Sequence, residues 1–213
     1  MKAAIWTGGE APDQQLTHEI LGQRGFDQIA FHIAADSGAQ NAQAWGITLD
    51  AWIGDGDSLR RPLDLEPSKL TLLPRDKDLS DTEAAVRLAL QRGAESLILL
   101  GGGGGRMDHW LANLSLVRQT PQITTWITAH ERIDLLAAPQ NLVVGPGTLS
   151  VFCVEQTGSI VSSGLQWPLD AVDFSQWYSL SNRVEGEATL TVTKGRFMIM
   201  TREKELPQSQ VVP

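Results

Sequence analysis

The chain has a single cysteine, Cys153, in 213 residues. One cysteine excludes a disulfide framework and a cysteine-rich metal site. Basic residues are also scarce: 17 Lys and Arg stand against 25 Asp and Glu, a net charge of −8. That balance argues against DNA, RNA or an anionic membrane as partner, because each selects a basic face. A nucleotide is still admissible where Mg²⁺ and a few local Lys or Arg offset its phosphates. No apolar run approaches the roughly 20 residues that span a bilayer. Met1 to Gly9 lacks the basic segment and long apolar core of a signal peptide, so a soluble cytoplasmic protein is expected. No low-complexity tract and no internal repeat is present. Both familiar glycine codes are missing too. No G-x-x-x-x-G-K-[ST] occurs, and in a dinucleotide code started at Gly101 the last glycine is replaced by Arg106.

What is present is a globular composition, 42% hydrophobic and 20% charged, organised around Ser96 to Leu116. Leu97 to Leu100 form an apolar run that empties into five glycines, Gly101 to Gly105. Arg106, Asp108 and His109 follow, and then Leu111, Leu114, Leu116 and Val117 recur at helical spacing. The pattern predicts a buried strand, a glycine turn and a helix start. In an open α/β sheet such a turn lies at a strand's carboxyl end, where ligands bind. Glycines let backbone N–H groups approach an anion closely, and the helix N-terminus adds positive potential. A flexible linker is the plainer reading of five glycines, but flanks of strand and helix leave it nothing to link.

Strands are expected at Lys2–Thr7, Gln28–Ala34, Leu49–Ile53, Leu70–Leu73, Ile123–Thr128 and Arg132–Leu136, with helices at Gln14–Gly22, after Ala39 up to Gly46, and at Thr82–Arg92. Ser80 followed by Glu83 is a capping box. Residues 60–68, with Pro62 and Pro67, read as loop. Alternating strands and helices predict an α/β layer with a largely parallel sheet over residues 1–137. From 138 to 213 the grammar changes to short β segments at Asn141–Val144, Leu149–Val154, Ser159–Leu165, Ala188–Thr193 and Phe197–Thr201. Gly145-Pro146-Gly147, Gly158 and Lys194-Gly195 punctuate them, so an all-β sandwich or small barrel is expected. Gln208–Pro213 reads as a frayed tail.

Acidic residues follow a strand or open a helix at four places: Asp36, Asp55 with Asp57, Asp76 with Asp78 and Asp81, and Asp108. In a parallel sheet these positions share one edge and can converge on the glycine loop. Oxygen ligands around a phosphate cradle suit Mg²⁺. Arg75, Lys77 and Arg106 stand among them as candidate phosphate contacts. Each piece has a plainer account. Asp55-Gly56 is a turn signal, Asp81 complements a helix dipole, and His109 at a helix start commonly caps or packs. Their recurrence at one topological place favours function.

The same strings resemble the thiamine pyrophosphokinase family. They are Ala35-Asp36-Ser37-Gly38-Ala39, Gly54-Asp55-Gly56-Asp57-Ser58, Lys77-Asp78-Leu79-Ser80-Asp81-Thr82-Glu83, and Leu100-Gly101 through Arg106-Met107-Asp108-His109-Trp110-Leu111-Ala112-Asn113. Ser163-Gly164-Leu165-Gln166-Trp167-Pro168-Leu169 and Ser181-Asn182 with Gly186 continue the resemblance, which runs from about Lys2 to Met200. It implies an α/β catalytic domain, a β-sandwich domain, a homodimer, and pyrophosphate transfer from ATP to thiamine. By the resemblance Asp55, Asp57 and Asp81 are catalytic and hold Mg²⁺. Asp36, Lys77, Asp78, Gly104, Gly105, Arg106, Asp108 and His109 serve ATP. Trp167, Ser181 and Asn182 bind thiamine between one subunit's β domain and its partner's catalytic domain.

Four positions, in three places, depart from the family pattern. Ser37 stands for Gly and adds a side chain near the phosphates. Gly56 stands for a bulky apolar residue, and Gly102-Gly103 stands for Ala-Leu, so a looser turn and a looser loop are expected. Two alternatives stay open: pyrophosphate transfer to a hydroxymethyl-pterin, and a non-catalytic nucleotide or thiamine sensor.

Overall fold

The computed structural model describes residues 1–59, 63 and 65–202. Residues 60–62 and 64 of the expected loop, and the expected tail Gln208–Pro213, lie outside the described residues. The chain divides into two compact units, Met1–Ala129 and His130–Pro213.

The first unit alternates strand and helix: β1 (Lys2–Trp6), α1 (Gln14–Leu21), α2 (Gln23–Asp27), β2 (Ile29–Ala35), α3 (Gly38–Ala44), β3 (Ala51–Gly54), β4 (Leu70–Leu72), α4 (Asp81–Gln91), β5 (Ser96–Leu100), α5 (Met107–Gln119) and β6 (Ile123–Ile127). The strands pair in parallel in the order β6-β5-β1-β2-β3-β4. Parallel strands covered on both faces read as continuous apolar runs, and Ala3, Ala4, Ile5 and Trp6 are each 0% exposed. Alternate residues serve opposite faces. Ala4, Trp6, Ala34, Trp52, Ile98 and Leu100 share one core with Ala39 and Ala42 of α3. Against β1, β2 and β3, α4 packs a side carrying the buried Ala84, Ala85, Val86 and Ala89. Ser80 caps α4, its Oγ accepting from Glu83 N–H at 3.1 Å. The return half of the box is replaced by an ion pair from the Glu83 carboxylate to Arg87.

From β1 the chain winds outward to β4, then crosses back to lay β5 on the other side of β1. The loops after β1 and β5 therefore diverge at the sheet's topological switch point, the place where such folds bind ligands.

The second unit is antiparallel: β7 (Glu131–Ala137), β8 (Asn141–Val144), β9 (Gly147–Cys153), β10 (Ser159–Leu165), β11 (Ser179–Lys194) and β12 (Arg196–Arg202). The division falls ahead of the expected 137/138 boundary because β7 pairs along its length with β12. β11 pairs with β9 over Ser179–Val184 and with β8 over Ala188–Thr191. It thus passes between layers that close on Leu149, Val151, Ile160, Leu190, Val192, Phe197 and Ile199. Among the described residues no helix is long and apolar enough to cross a membrane.

Candidate active site

At the carboxyl edge of the parallel sheet lies a cavity of about 610 Å³, walled by loops that follow β1 to β5. Each wall comes from a strand end. Thr7, Gly8 and Gly9 follow β1, Asp36 and Ser37 follow β2, and Asp55, Asp57 and Ser58 follow β3. Arg75, Lys77 and Asp81 lead into α4, while Gly102, Gly103, Gly105, Arg106, His109 and Asn113 follow β5.

Asp36 is 8% exposed and takes a left-handed backbone, φ 42°, a conformation uncommon outside glycine. Its N–H donates to Ile53 O at 2.9 Å, and its own carbonyl accepts from the Trp52 indole N–H at 2.9 Å. Carboxylate oxygens of Asp36, Asp55 and Asp57 lie within 4.8 Å of one another. Asp36 Oδ1 is buried and makes no hydrogen bond among the described residues. Hard oxygen donors this close, one of them buried and unsatisfied, fit a divalent cation such as Mg²⁺.

Asp81 lies outside that trio. Lys77 reaches between the two groups, its Nζ 3.0 Å from Asp55 Oδ2 and 3.2 Å from Asp81 Oδ1. The Asp57 backbone N–H, which donates to Asp55 Oδ1 at 3.1 Å, and then Lys77 hold the Asp55 carboxyl below the usual carboxylate range. Burial pulls the Lys77 ammonium down, but the hydrogen bond to Asp55 and the ion pairs with Asp55 and Asp81 outweigh it and leave it above the ordinary lysine value. Burial lifts the Asp81 carboxyl; Lys77 opposes the shift, and the charges of Asp55 and Asp36 add to it. The two carboxyls on either side of Lys77 are thus shifted in opposite directions, Asp55 down and Asp81 up.

The glycine loop is wedged rather than slack. Gly102 N–H donates to Gly8 O at 2.8 Å, and Glu10 N–H donates to Gly103 O at 3.1 Å. A Cβ on Gly102 would lie 2.5 Å from Asn113 Nδ2, and one on Gly103 2.9 Å from Thr128 Cβ. Packing of this kind runs against the looser loop expected from two extra glycines. Gly56 is set by backbone rather than by space: its φ is left-handed at 77°, while a Cβ there would lie at an ordinary contact distance of 3.8 Å from Leu59 and Trp52.

Not every expected residue reaches the cavity. Asp36, Asp55, Asp57, Lys77, Asp81, Gly105, Arg106 and His109 line it; Asp78, Gly104 and Asp108 do not. Gly104 backs onto the Glu10 side chain. Asp108 forms an exposed, bidentate ion pair with Arg106, which holds its carboxyl below the ordinary range. Asn113 was not singled out by sequence. It sits in the buried stripe of α5 with Val117, whereas Leu111 is 52% exposed; a polar residue in a helix's buried stripe beside a glycine turn is the available signal.

In the second unit, Trp167 is 52% exposed and Asn182 is 0% exposed. Asn182 holds the Trp167 backbone from below: its Oδ1 accepts from Trp167 N–H at 3.2 Å, and its Nδ2 donates to Trp167 O at 2.7 Å. Ser181 is exposed and left-handed, φ 53°, with its N–H donating to Ser150 Oγ at 3.1 Å.

A parallel α/β unit with clustered carboxylates and a glycine cradle at its switch point, followed by a β-sandwich unit, defines a two-unit, phosphate-handling class of fold. Comparison with known proteins narrows it. Residues 23–127 match the family model "Thiamin pyrophosphokinase, catalytic domain". Thiamin pyrophosphokinase 1 of Caenorhabditis elegans is 30% identical over 201 residues, covering 84% of this chain and 80% of that protein. The fold is shared with the crystal structure of thiamin pyrophosphokinase from Geobacillus thermodenitrificans, at a TM-score of 0.72 and 21% identity over 95% of this chain and 97% of that one. The thiamine pyrophosphokinase structure from Bacillus subtilis gives a TM-score of 0.71 at 19% identity, covering 95% and 99%. The chain belongs to the thiamin pyrophosphokinase family.

Proposed function

We propose that the chain is a thiamine diphosphokinase that moves pyrophosphate from ATP to the thiamine hydroxyl, giving thiamine diphosphate and AMP. The observation that carries this reading is the convergence of Asp36, Asp55, Asp57, Lys77 and Asp81 with the glycine loop in one cavity of a chain belonging to this family.

In the reaction the thiamine oxygen bonds to the β-phosphorus, the bond from that phosphorus to the oxygen bridging toward the α-phosphorus breaks, and AMP departs with the bridging oxygen. Phosphoryl transfer asks little covalent chemistry of a protein; positioning and charge neutralisation dominate. Mg²⁺, held by Asp36, Asp55 and Asp57 with Asp81 nearby, would supply Lewis-acid stabilisation of phosphate oxygens. Backbone N–H groups of the glycine loop cradle the phosphates. Arg75, Lys77 and Arg106 add fixed positive charge. Asp81 accepts the hydroxyl proton, a role that its half-buried position and raised proton affinity suit.

The reading extends to a homodimer that binds thiamine between Trp167 and Ser181 of one subunit and the catalytic unit of its partner; Asn182, expected at that site from the sequence, is 0% exposed and serves it only by holding the Trp167 backbone. The exposure of Trp167, Trp177, Tyr178 and Leu180, each more than half open in the single chain, supports an apolar partner surface in this unit. Trp167 offers a ring face to a cationic thiazolium, worth about 0.5–2 kcal/mol. An ATP-consuming reaction fits a cytoplasmic location. The test is AMP release from ATP and Mg²⁺: it should require thiamine, and release indifferent to thiamine would refute the assignment.

A further inference from the structure

Trp52 lies on β3 and is 3% exposed. Its indole N–H donates to Asp36 O at 2.9 Å, a fully buried bond, while Asp36 N–H donates to Ile53 O at 2.9 Å. One strand thus engages both backbone polar groups of a residue whose φ of 42° is left-handed. The indole ring also underlies the turn that carries the other two carboxylates. Trp52 Cζ2 lies 3.1 Å from where a Cβ on Gly54 would be, and Cη2 lies 3.8 Å from the equivalent point on Gly56. A Cβ on Gly54 would in turn meet Asp36 Cα at 3.0 Å, so glycine at 54 lets Asp36, the indole and the turn close on one another. A single rigid ring meets the backbone flanking all three members of the Asp36–Asp55–Asp57 trio.

We infer that Trp52 is a positioning residue for divalent-cation binding, its indole N–H fixing Asp36 in the strained conformation that turns the buried carboxylate toward Asp55 and Asp57. Bulk alone does not explain the arrangement: Asp36 O accepts from Ala39 N–H at 3.2 Å, and the indole N–H adds a second, shorter bond to the same buried oxygen, which an apolar ring would remove. The inference rests on the reading of that trio as a cation site, and it adds a residue with no charge and no contact with the ion. Mutating groups that orient metal ligands from behind typically costs about 10- to 100-fold in metal affinity.

The test uses the full chain, Mn²⁺ alone, and electron paramagnetic resonance of the free ion, with neither ATP nor thiamine. Trp52→Phe keeps a ring and removes the donor. It should weaken Mn²⁺ binding roughly 10- to 100-fold while still melting cooperatively. The comparison variant is Trp6→Phe, which removes another fully buried indole from the same core, one whose N–H goes to His32 Nδ1 at 3.2 Å. It should lower the melting temperature and leave Mn²⁺ affinity unchanged. If Trp52→Phe fails to fold, benzothienylalanine at position 52, with sulfur in place of N–H, carries the same test. Unchanged Mn²⁺ affinity in the position-52 variant, an equal loss in Trp6→Phe, or no Mn²⁺ binding by the parent would each overturn the inference. A parent that releases no thiamine-dependent AMP overturns the proposed function instead, and leaves the ratio of Mn²⁺ affinities to be judged by itself.

Discussion

If the glycine run is a built cradle, adding one methyl group at its first residue should be far more damaging than adding one at its last. Gly101 is buried at the end of β5 with φ 96°. Its N–H donates to Ile127 O at 2.9 Å, and its carbonyl accepts from Trp126 Nε1 at 2.7 Å. In Gly101→Ala the new Cβ would sit 2.7 Å from Thr7 O and 3.2 Å from Gly8 O. Those are backbone atoms and cannot swing aside. Holding alanine in that backbone region costs about 1–3 kcal/mol, and forced overlap in a packed site costs about 1–3 kcal/mol more. At about 2–4 °C per kcal/mol for a chain of this size, a combined loss of about 4 kcal/mol lowers the melting temperature by about 8–16 °C. Gly105→Ala meets only Gly103 O, at 4.0 Å, and should stay within about 0.5 kcal/mol of the parent, as open surface substitutions do. Thermal melts of the two variants, with the KM for ATP measured beside them, make the comparison. Equal shifts would mean that the five glycines behave as a flexible linker, and the cradle would be refuted.

Asp81→Asn should cut turnover about 10²-fold or more while the fold survives; near-normal turnover would remove Asp81 from the mechanism. Because burial raises the Asp81 carboxyl above 3.8 and the base must be ionised in the free enzyme, the parent's kcat/KM should rise with pH along an acid limb lying above that value. Asp81→Asn should abolish the limb, and a limb that persists would assign it elsewhere. Burial holds the His32 imidazole below 6.5, against an opposing pull from Asp50, and its Nδ1 accepts from the Trp6 indole N–H. The sign for a depressed histidine is that its stabilisation is full above 6.5 and is lost as pH falls through the lower folded value. Thermal midpoints of the parent should therefore drop on mild acidification more than those of His32→Gln; parallel curves would contradict this.

Strand ends and their carboxylates were legible in the sequence because both signals are local. Asp36 directly follows a buried apolar run, and Asp55 and Asp57 directly follow another, so a parallel sheet had to place them on one edge. Side-chain reach was not legible. Nothing in the order Lys77-Asp78-Leu79-Ser80-Asp81 says that Lys77 turns back to a carboxylate from a different strand. It separates Asp81 from a trio that includes Asp36. Nor does the string Ser181-Asn182 say which residue faces outward; the left-handed Ser181 and the register shift between Ser179 and Asn182 turn Asn182 inward beneath Trp167. That irregularity also hid the first half of β11, whose polar residues 179–187 do not alternate cleanly with apolar ones. The unit boundary depends on the long-range pairing of β7 with β12, which no local pattern encodes. α5 misled by periodicity: its leucines predict a buried stripe, but the helix turns Asn113 toward the glycine loop and leaves Leu111 exposed.

The central claim is transfer of an intact pyrophosphoryl group from the β-phosphorus of ATP to thiamine. It is tested most directly by incubating the purified chain with thiamine, ATP and Mg²⁺ and quantifying every product. The account predicts AMP and thiamine diphosphate in equal amounts. ADP with thiamine monophosphate would contradict attack at the β-phosphorus, and absence of any phosphorylated thiamine would contradict the assignment of the acceptor.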